Sequence, residues 1–405
     1  MAQPEHSASR PLRFLYIYPE TIGPSPEKQR NALYYIGRKL SGEVLAAAMK
    51  SNRSTPQAAE AAAKAIGNMR FFSVRVTSIK QPFQKVAEAM NYILWAARCR
   101  KKYGDYDAIV AHGPYRTGVI GVILSLLWRK PLVVEFPGHP LNGLRLDTTF
   151  FGRLKVRIAP RVLGFVVRRS HALRLLYPSQ LLDVPGLDHE DVRRKAHVFH
   201  EFVPISSIPR GNNELRTSEI LFAGFPWQLK GVDLLIDAFL RLAEDFPGAT
   251  LAIVGYCPDI SPWRERAMNS PRVMFVRPLS HEALLDRIAR AAVFVLPSRT
   301  EAMGRVLLEA MAAGTPVVAS RVDGIPHYVR EGVDGLLFTS ENSAELEAAL
   351  RQVLTNLGGA RFRADTASAK THHLYNEEKY AEHFECVIRS AVQSFAMISA
   401  KREPI

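Results

Sequence analysis

Short apolar runs alternate with helical patterns from one end of this chain to the other, and that alternation constrains the fold more than any other feature. Candidate strands fall at 13–18, 71–76, 108–111, 132–136, 173–177 and 197–203, and then at 219–223, 250–254, 273–276, 293–296, 317–320 and 335–338. Most are unbroken apolar clusters rather than alternating polar and apolar positions. A strand reads that way when both of its faces are covered, as in a parallel sheet flanked by helices. The expected fold class is therefore α/β, built from doubly wound sheets.

The series breaks once, at 204–218 (PISSIPRGNNELRTS), where two prolines, a glycine, paired asparagines and several serines cluster. That predicts two α/β domains of similar size, 1–205 and 219–372, joined by a linker over 206–218. Beyond them Tyr380, Phe384, Val387, Ile388, Ala391 and Phe395 keep helical spacing, so a last amphipathic helix over 373–397 is expected to dock. Residues 51–69, polar and then alanine-rich, read as a loop or a short surface helix.

Composition excludes several classes. Cys99, Cys257 and Cys386 lie far apart without metal-ligand spacing, which rules out a disulfide scaffold and suits a reducing, cytoplasmic setting. The first twenty residues lack the apolar core of a signal peptide. The longest nearly uncharged run, TGVIGVILSLLW at 117–128, falls short of the roughly 20 residues that span a bilayer. Net charge is +14, and the excess is local: residues 95–175 hold fifteen Lys or Arg against four acids. Such a segment either meets an anionic partner (nucleic acid, anionic lipid or a phosphorylated small molecule) or forms a solvated basic face. No basic motif interleaved with aromatics appears, which argues against nucleic acid. Arg153, Arg157 and Arg161 recur among Leu154, Val156, Ile158, Val162 and Leu163, a basic amphipathic pattern suited to peripheral attachment at an anionic membrane surface. Pro160 is expected to interrupt that helix.

The chemistry concentrates in TEAMGRVLLEAMAAGTPVVAS, residues 300–320, where Glu301 and Glu309 stand eight positions apart. A strand ending before Pro297, a loop, a helix over 304–313 and a strand at 317–320 form one unit, with Gly314 past the helix end and Pro316 preventing its continuation. Ligands of such sheets bind outside the carboxyl ends of the strands. Gly304 and Arg305 open the helix, so the N–H groups of Arg305, Val306 and Leu307 and the positive dipole end suit a phosphate. A carboxylate at Glu309 suits the vicinal hydroxyls of a ribose, and Glu301 those of a sugar ring. Spacing alone fits solvated positions on an edge helix equally well. The helix is apolar almost all round, however, so Glu309 has little water to enter and needs partners.

The run Pro297, Ser298, Glu301, Gly304, Glu309, Ala310, Met311, Ala312, Gly314, Pro316, Val317, Val318 and Ala319 resembles, without gaps, the E-x7-E signature of the retaining GT-B glycosyltransferases of glycosyltransferase family four. EILFAGFPWQLKGVDLLIDAF at 219–239 is similar to that family's strand, glycine (Gly224), Lys-Gly and amphipathic helix. Specific motifs cover 219–339; element order covers nearly the whole chain. The resemblance implies two Rossmann-like domains facing a cleft, an acceptor domain and a nucleotide-sugar domain, with the C-terminal helix returning to the first. It implies that Lys230 holds the donor diphosphate, and that the loop including Pro278 and Leu279 holds the base through backbone groups. Phe225 stands where the family has an arginine, with Arg305 or a basic residue of the first domain as candidate substitutes. On the acceptor side the family's glycine loop corresponds to Gly23, and its strand-end histidines to His112 and, displaced by two residues, His139.

The implied activity is transfer of a hexose from a UDP- or GDP-linked sugar to a saccharide or lipid-linked acceptor, with retention, no cofactor and no metal. Domain closure about the linker would exclude water. A different GT-B enzyme, such as a sugar-nucleotide epimerase or a phosphorylase, and a non-catalytic basic binding protein remain open alternatives.

Overall fold

The structure, a computed structural model, describes residues 12–18, 44–49, 69–74, 83–145, 149–211 and 217–400. Gly23, residues 51–68 and the centre of the expected linker, 212–216, lie outside them. The chain divides into two compact units, one of Met1–Phe199 with Tyr380–Ile405 and one of His200–Lys379.

The first unit carries a seven-stranded, all-parallel sheet: β1 (Phe14–Tyr18), β2 (Val44–Met49), β3 (Met69–Val74), β4 (Ala108–His112), β5 (Leu132–Glu135), β6 (Ala172–Leu175) and β7 (Ala196–Val198), in the order β3-β2-β1-β4-β5-β6-β7. Successive strand residues face opposite sides. Leu15 and Ile17 join Tyr92 of α1 (Phe83–Tyr103), Ile120 of α2 (Arg116–Trp128) and Leu163 of α4 (Phe150–Arg169) in one buried cluster. Between α2 and α4 comes a short helix, α3 (Asn142–Arg145), and α5 (His189–Lys195) precedes β7. Phe14 and Tyr16 point the other way, with ring centroids 5.9 and 6.2 Å from Phe384 of the C-terminal helix α13 (Glu377–Ala400). Each ring so buried contributes roughly 1.5–3 kcal/mol, which is what returns this helix to the first sheet.

Two elements differ from expectation. β2 (VLAAAM) was not among the candidate strands, because three alanines in a row favour a helix locally; its full parallel register with both β1 and β3 overrides that preference. Pro160 does not interrupt α4, which runs unbroken from the Thr149 cap, whose hydroxyl accepts from the Gly152 N–H at 3.1 Å, to Arg169. A proline inside a helix removes one hydrogen bond, and the buried Ala159, Leu163, Val166 and Val167 on either side of it anchor the flanking turns.

The second unit holds a six-stranded parallel sheet: β8 (Glu219–Ala223), β9 (Thr250–Val254), β10 (Val273–Val276), β11 (Val293–Leu296), β12 (Val317–Ser320) and β13 (Leu336–Phe338), ordered β10-β9-β8-β11-β12-β13. Strands β8 to β12 begin and end where the apolar runs do. The helices are α6 (Val232–Asp245), α7 (Ser261–Arg266), α8 (His281–Arg290), α9 (Arg305–Ala312), α10 (Ile325–Tyr328), α11 (Ser343–Thr355) and α12 (Leu357–Leu374). The chain winds outward from β8 through β9 to β10, then resumes at β11 on the other side of β8. Where strand order reverses, the loops leaving neighbouring strands diverge and open a crevice. Here that point lies between β8 and β11.

Candidate active site

At this switch point the loops after β8 and β11 meet. Gly231, the residue that caps α6, has φ +67°, and a Cβ there would come within 2.0 Å of the Pro297 carbonyl oxygen. Only glycine lets the two loops approach this closely. Their contact is then locked by Arg299, whose N–H donates to the Leu229 carbonyl at 3.0 Å and whose guanidinium grips the Asp233 carboxylate at 2.8 and 2.7 Å. Burial pushes the Asp233 carboxyl up, but the Arg299 hydrogen bond and charge outweigh it and hold the group below its ordinary value.

This clamp brings together two residues that lie 71 positions apart: Lys230 Nζ donates to Glu301 Oε2 at 2.5 Å, and both side chains are largely buried. Ser298 Oγ donates to the same oxygen at 3.4 Å. The Glu301 backbone is fixed separately, its N–H donating to Asp323 at 2.8 Å. One turn further on, Gly304 adopts φ +61°, and a Cβ would lie 2.6 Å from Leu296 Cδ2 and 3.1 Å from the Tyr328 hydroxyl. That left-handed residue aims the first turn of α9 at the crevice. The Leu307 N–H, one of the three assigned to phosphate by the sequence, instead donates to the Gly304 carbonyl at 2.7 Å. Arg305 and Val306 open the helix ahead of it. The Arg305 guanidinium lies over the ring of Phe202, 5.4 Å from its centroid.

Glu309 is 3% exposed, and the partner that its burial demands is His281, whose Nε2 lies 2.8 Å from Glu309 Oε1. A carboxylate in so dry a setting is stable only with such a donor. His281 is the first residue of α8, directly after the loop that contains the exposed Pro278 and Leu279, so the carboxylate expected at the ribose and the loop expected at the base are tied together. Sequence reasoning missed His281. A histidine next to the base loop was visible, but nothing local told which acid it meets. Gly224 follows β8, its N–H donating to the Val254 carbonyl at 3.0 Å, and Phe225 beside it is 52% exposed, packed edge-on against Tyr256 at 5.7 Å.

The first unit has its own charged cluster. His112, at the end of β4, has Nδ1 3.0 Å from both Glu135 Oε2 and the Tyr16 hydroxyl, and Tyr16 also donates to Glu135. Glu135 is fully buried; burial raises its carboxyl, and His112, Arg174 and Tyr16 together bring it below its ordinary value. Arg174, equally buried, has its guanidinium over the rings of Phe199 and Tyr380, 4.8 and 5.4 Å from their centroids. A charged residue inside the apolar run PLVVEF was the available signal for Glu135. His139 is occupied otherwise: Nδ1 accepts from the Leu141 and Asn142 N–H groups at 3.3 and 3.2 Å, and Nε2 meets Asp183 at 2.6 Å. It braces its own loop and is not brought to His112 by any of these bonds.

Two doubly wound parallel sheets, the second with a charged crevice at its switch point, define the GT-B class of α/β enzymes. Sucrose-phosphate synthase from Thermosynechococcus elongatus superposes with a TM-score of 0.74 at 18% identity, over 95% of this chain and all of that one. HepE from Anabaena, solved in complex with UDP and glucose, gives 0.71 at 18% identity over 94% and 100%. At that identity the likeness is one of fold. The family of group 1 glycosyl transferases matches residues 217–356. A D-inositol 3-phosphate glycosyltransferase of Geodermatophilus obscurus is 31% identical over 328 residues, covering 74% of this chain and 70% of that protein. The chain belongs to the group 1 glycosyltransferases and is a GT-B glycosyltransferase.

Proposed function

We propose that this enzyme moves a hexose from a uridine or guanosine diphosphate sugar to a saccharide or lipid-linked acceptor, with retention at the anomeric carbon and without a metal or other cofactor. The observation that carries the reading is the Lys230–Glu301 ion pair at the switch point, with the buried Glu309 eight residues further along the same loop and helix. The complexes of HepE with UDP, with UDP and glucose and with UDP-glucose support a uridine diphosphate donor.

The roles follow from charge. Negative charge grows on the departing diphosphate, and the Lys230 ammonium plus the N–H groups at the start of α9 stabilise it. Lys230 is neutralised by Glu301 until the donor arrives. Phosphate binding draws the ammonium away and releases the Glu301 carboxylate to accept hydrogen bonds from the sugar hydroxyls. Glu309 takes the ribose. In the first unit His112, held by Glu135 and Tyr16, is the acceptor-side group.

A thermal-shift panel of nucleoside diphosphates and their sugars identifies the donor, and the anomeric proton coupling of the product reports retention. Glu309→Ala raises the donor KM strongly and Lys230→Ala lowers kcat; wild-type kinetics in both would refute the assignment. Phe225, exposed in place of a cation, favours a second reading, a nucleotide-sugar binding protein without transfer, and the formation of product decides between the two.

A further inference from the structure

Three of the described helices on one face of the first sheet, α1, α2 and α4, expose large apolar side chains on the side away from it. Their inner residues, including Tyr92 and Ala96 of α1, Ile120 and Leu124 of α2, and Leu163 and Val166 of α4, belong to one buried cluster with the strands. α2 packs between α1 and α4. Their outer positions include Leu94 of α1, Leu126 and Leu127 of α2, and Leu154, Ile158 and Phe165 of α4, with Leu127 64% exposed. Soluble surfaces rarely keep so many large apolar groups together without a partner.

On α4 the arrangement is directional. At about 100° per residue, Leu154, Ile158 and Phe165 fall within about 40° of one another. Exposed cations flank them on both sides, Arg153, Arg157, Arg161 and Arg168 on one and Lys155 and Arg169 on the other. α4 has these six cations and no acid, and α2 has no acid either. We propose that the outer face of α1, α2 and α4 seats this unit on an anionic lipid bilayer, the aliphatic tips entering the headgroup boundary and the cations meeting lipid phosphates.

Charge selects this occupant. A second copy of the chain, docked through the same patch by two-fold symmetry, sets six α4 cations against six. A neutral protein surface leaves them uncompensated. Long basic side chains beside an apolar stripe instead let the stem lie along the acyl boundary while the head reaches outward. Among the described residues no helix is long and apolar enough to cross a membrane, so attachment is peripheral. It is separable from donor chemistry, because every residue named here lies in the first unit.

The test is sedimentation of the full chain at low salt with vesicles of phosphatidylcholine alone and of phosphatidylcholine with phosphatidylglycerol. Binding to the anionic vesicles only is expected. The double variant Arg157→Gln/Arg161→Gln should lower the partition coefficient by about fivefold for each cation removed. Leu126→Glu/Leu127→Glu should abolish binding while leaving the melting curve unchanged, since both positions are exposed. No sedimentation of the wild type overturns the proposal. So does sedimentation that neither variant alters, which moves the contact to another face. A dimer in gel filtration that Leu126→Glu/Leu127→Glu dissociates, with no vesicle binding, assigns the face to a second copy and overturns it equally.

Discussion

Replacing His281 by alanine tests whether Glu309 serves a ribose and whether it needs help to do so. The Glu309 carboxylate is 3% exposed and takes a 2.8 Å hydrogen bond from the imidazole. A hydrogen bond to a charged group contributes about 1.5–3 kcal/mol. Two consequences follow. The fold loses about 1–3 kcal/mol, because a buried carboxylate is left with one donor fewer. The carboxylate also loses its fixed orientation, so its bond to a ribose hydroxyl weakens. In the wild type, removing that hydroxyl from the ligand costs a charge-assisted bond, which corresponds to a preference of about 10- to 150-fold for the ribonucleoside over the deoxyribonucleoside diphosphate. Calorimetric titration of both ligands measures it. Glu309→Gln removes most of that preference, and His281→Ala reduces it to a few-fold while leaving contacts to the diphosphate untouched. An unchanged preference in His281→Ala would refute the positioning argument, whereas absence of any nucleoside diphosphate binding in the wild type would refute the donor reading itself.

Other outcomes follow from the same geometry. Phe225→Arg places a cation at the exposed end of β8, and tighter binding of the nucleoside diphosphate by about fivefold is expected, a charge-assisted bond discounted for solvent; unchanged affinity would mean that the diphosphate lies elsewhere. Ring loss against Tyr256 costs at most about 0.5–1.5 kcal/mol of stability, readable in a urea melt. His171 is held near pKa 4, below its ordinary 6.5, first by burial and then by Lys195, and its Nδ1 accepts from the Leu132 N–H at 3.1 Å. The unfolded chain therefore binds a proton between about pH 6.5 and 4 that the folded chain refuses, so stability is full above that window and falls through it on acidification. His171→Gln, which keeps an acceptor and does not titrate, should lose about 1–2 kcal/mol less than the wild type between pH 7 and pH 4.5, a figure discounted for partial solvent access. Parallel pH curves for the two would contradict this.

Much of the second unit is legible in the sequence. A buried parallel strand must be apolar on both faces, so β8 to β12 announce themselves as unbroken runs, and the glycine that starts α9 and the proline that follows its end mark that helix. The burial of Glu309 was legible too, because a helix greasy all round leaves a carboxylate no solvent to face. β2 was hidden because alanine carries no strand signal, and the continuity of α4 because a proline's local cost is visible while the packing that offsets it is not.

By itself, then, the sequence determined an α/β chain of two doubly wound units and the loop and helix on which Glu301 and Glu309 stand. These depend on residues a few positions apart, and local periodicity and capping encode them. The tertiary structure alone decided the partners. It set Lys230 against Glu301 across two loops, His281 against Glu309, and His112 against Glu135 and Tyr16. It also turned Arg305 onto Phe202 and Leu154 and Ile158 outward. Each of these pairings joins segments that only the tertiary fold brings together, and periodicity along one segment carries no information about which side chain arrives from another.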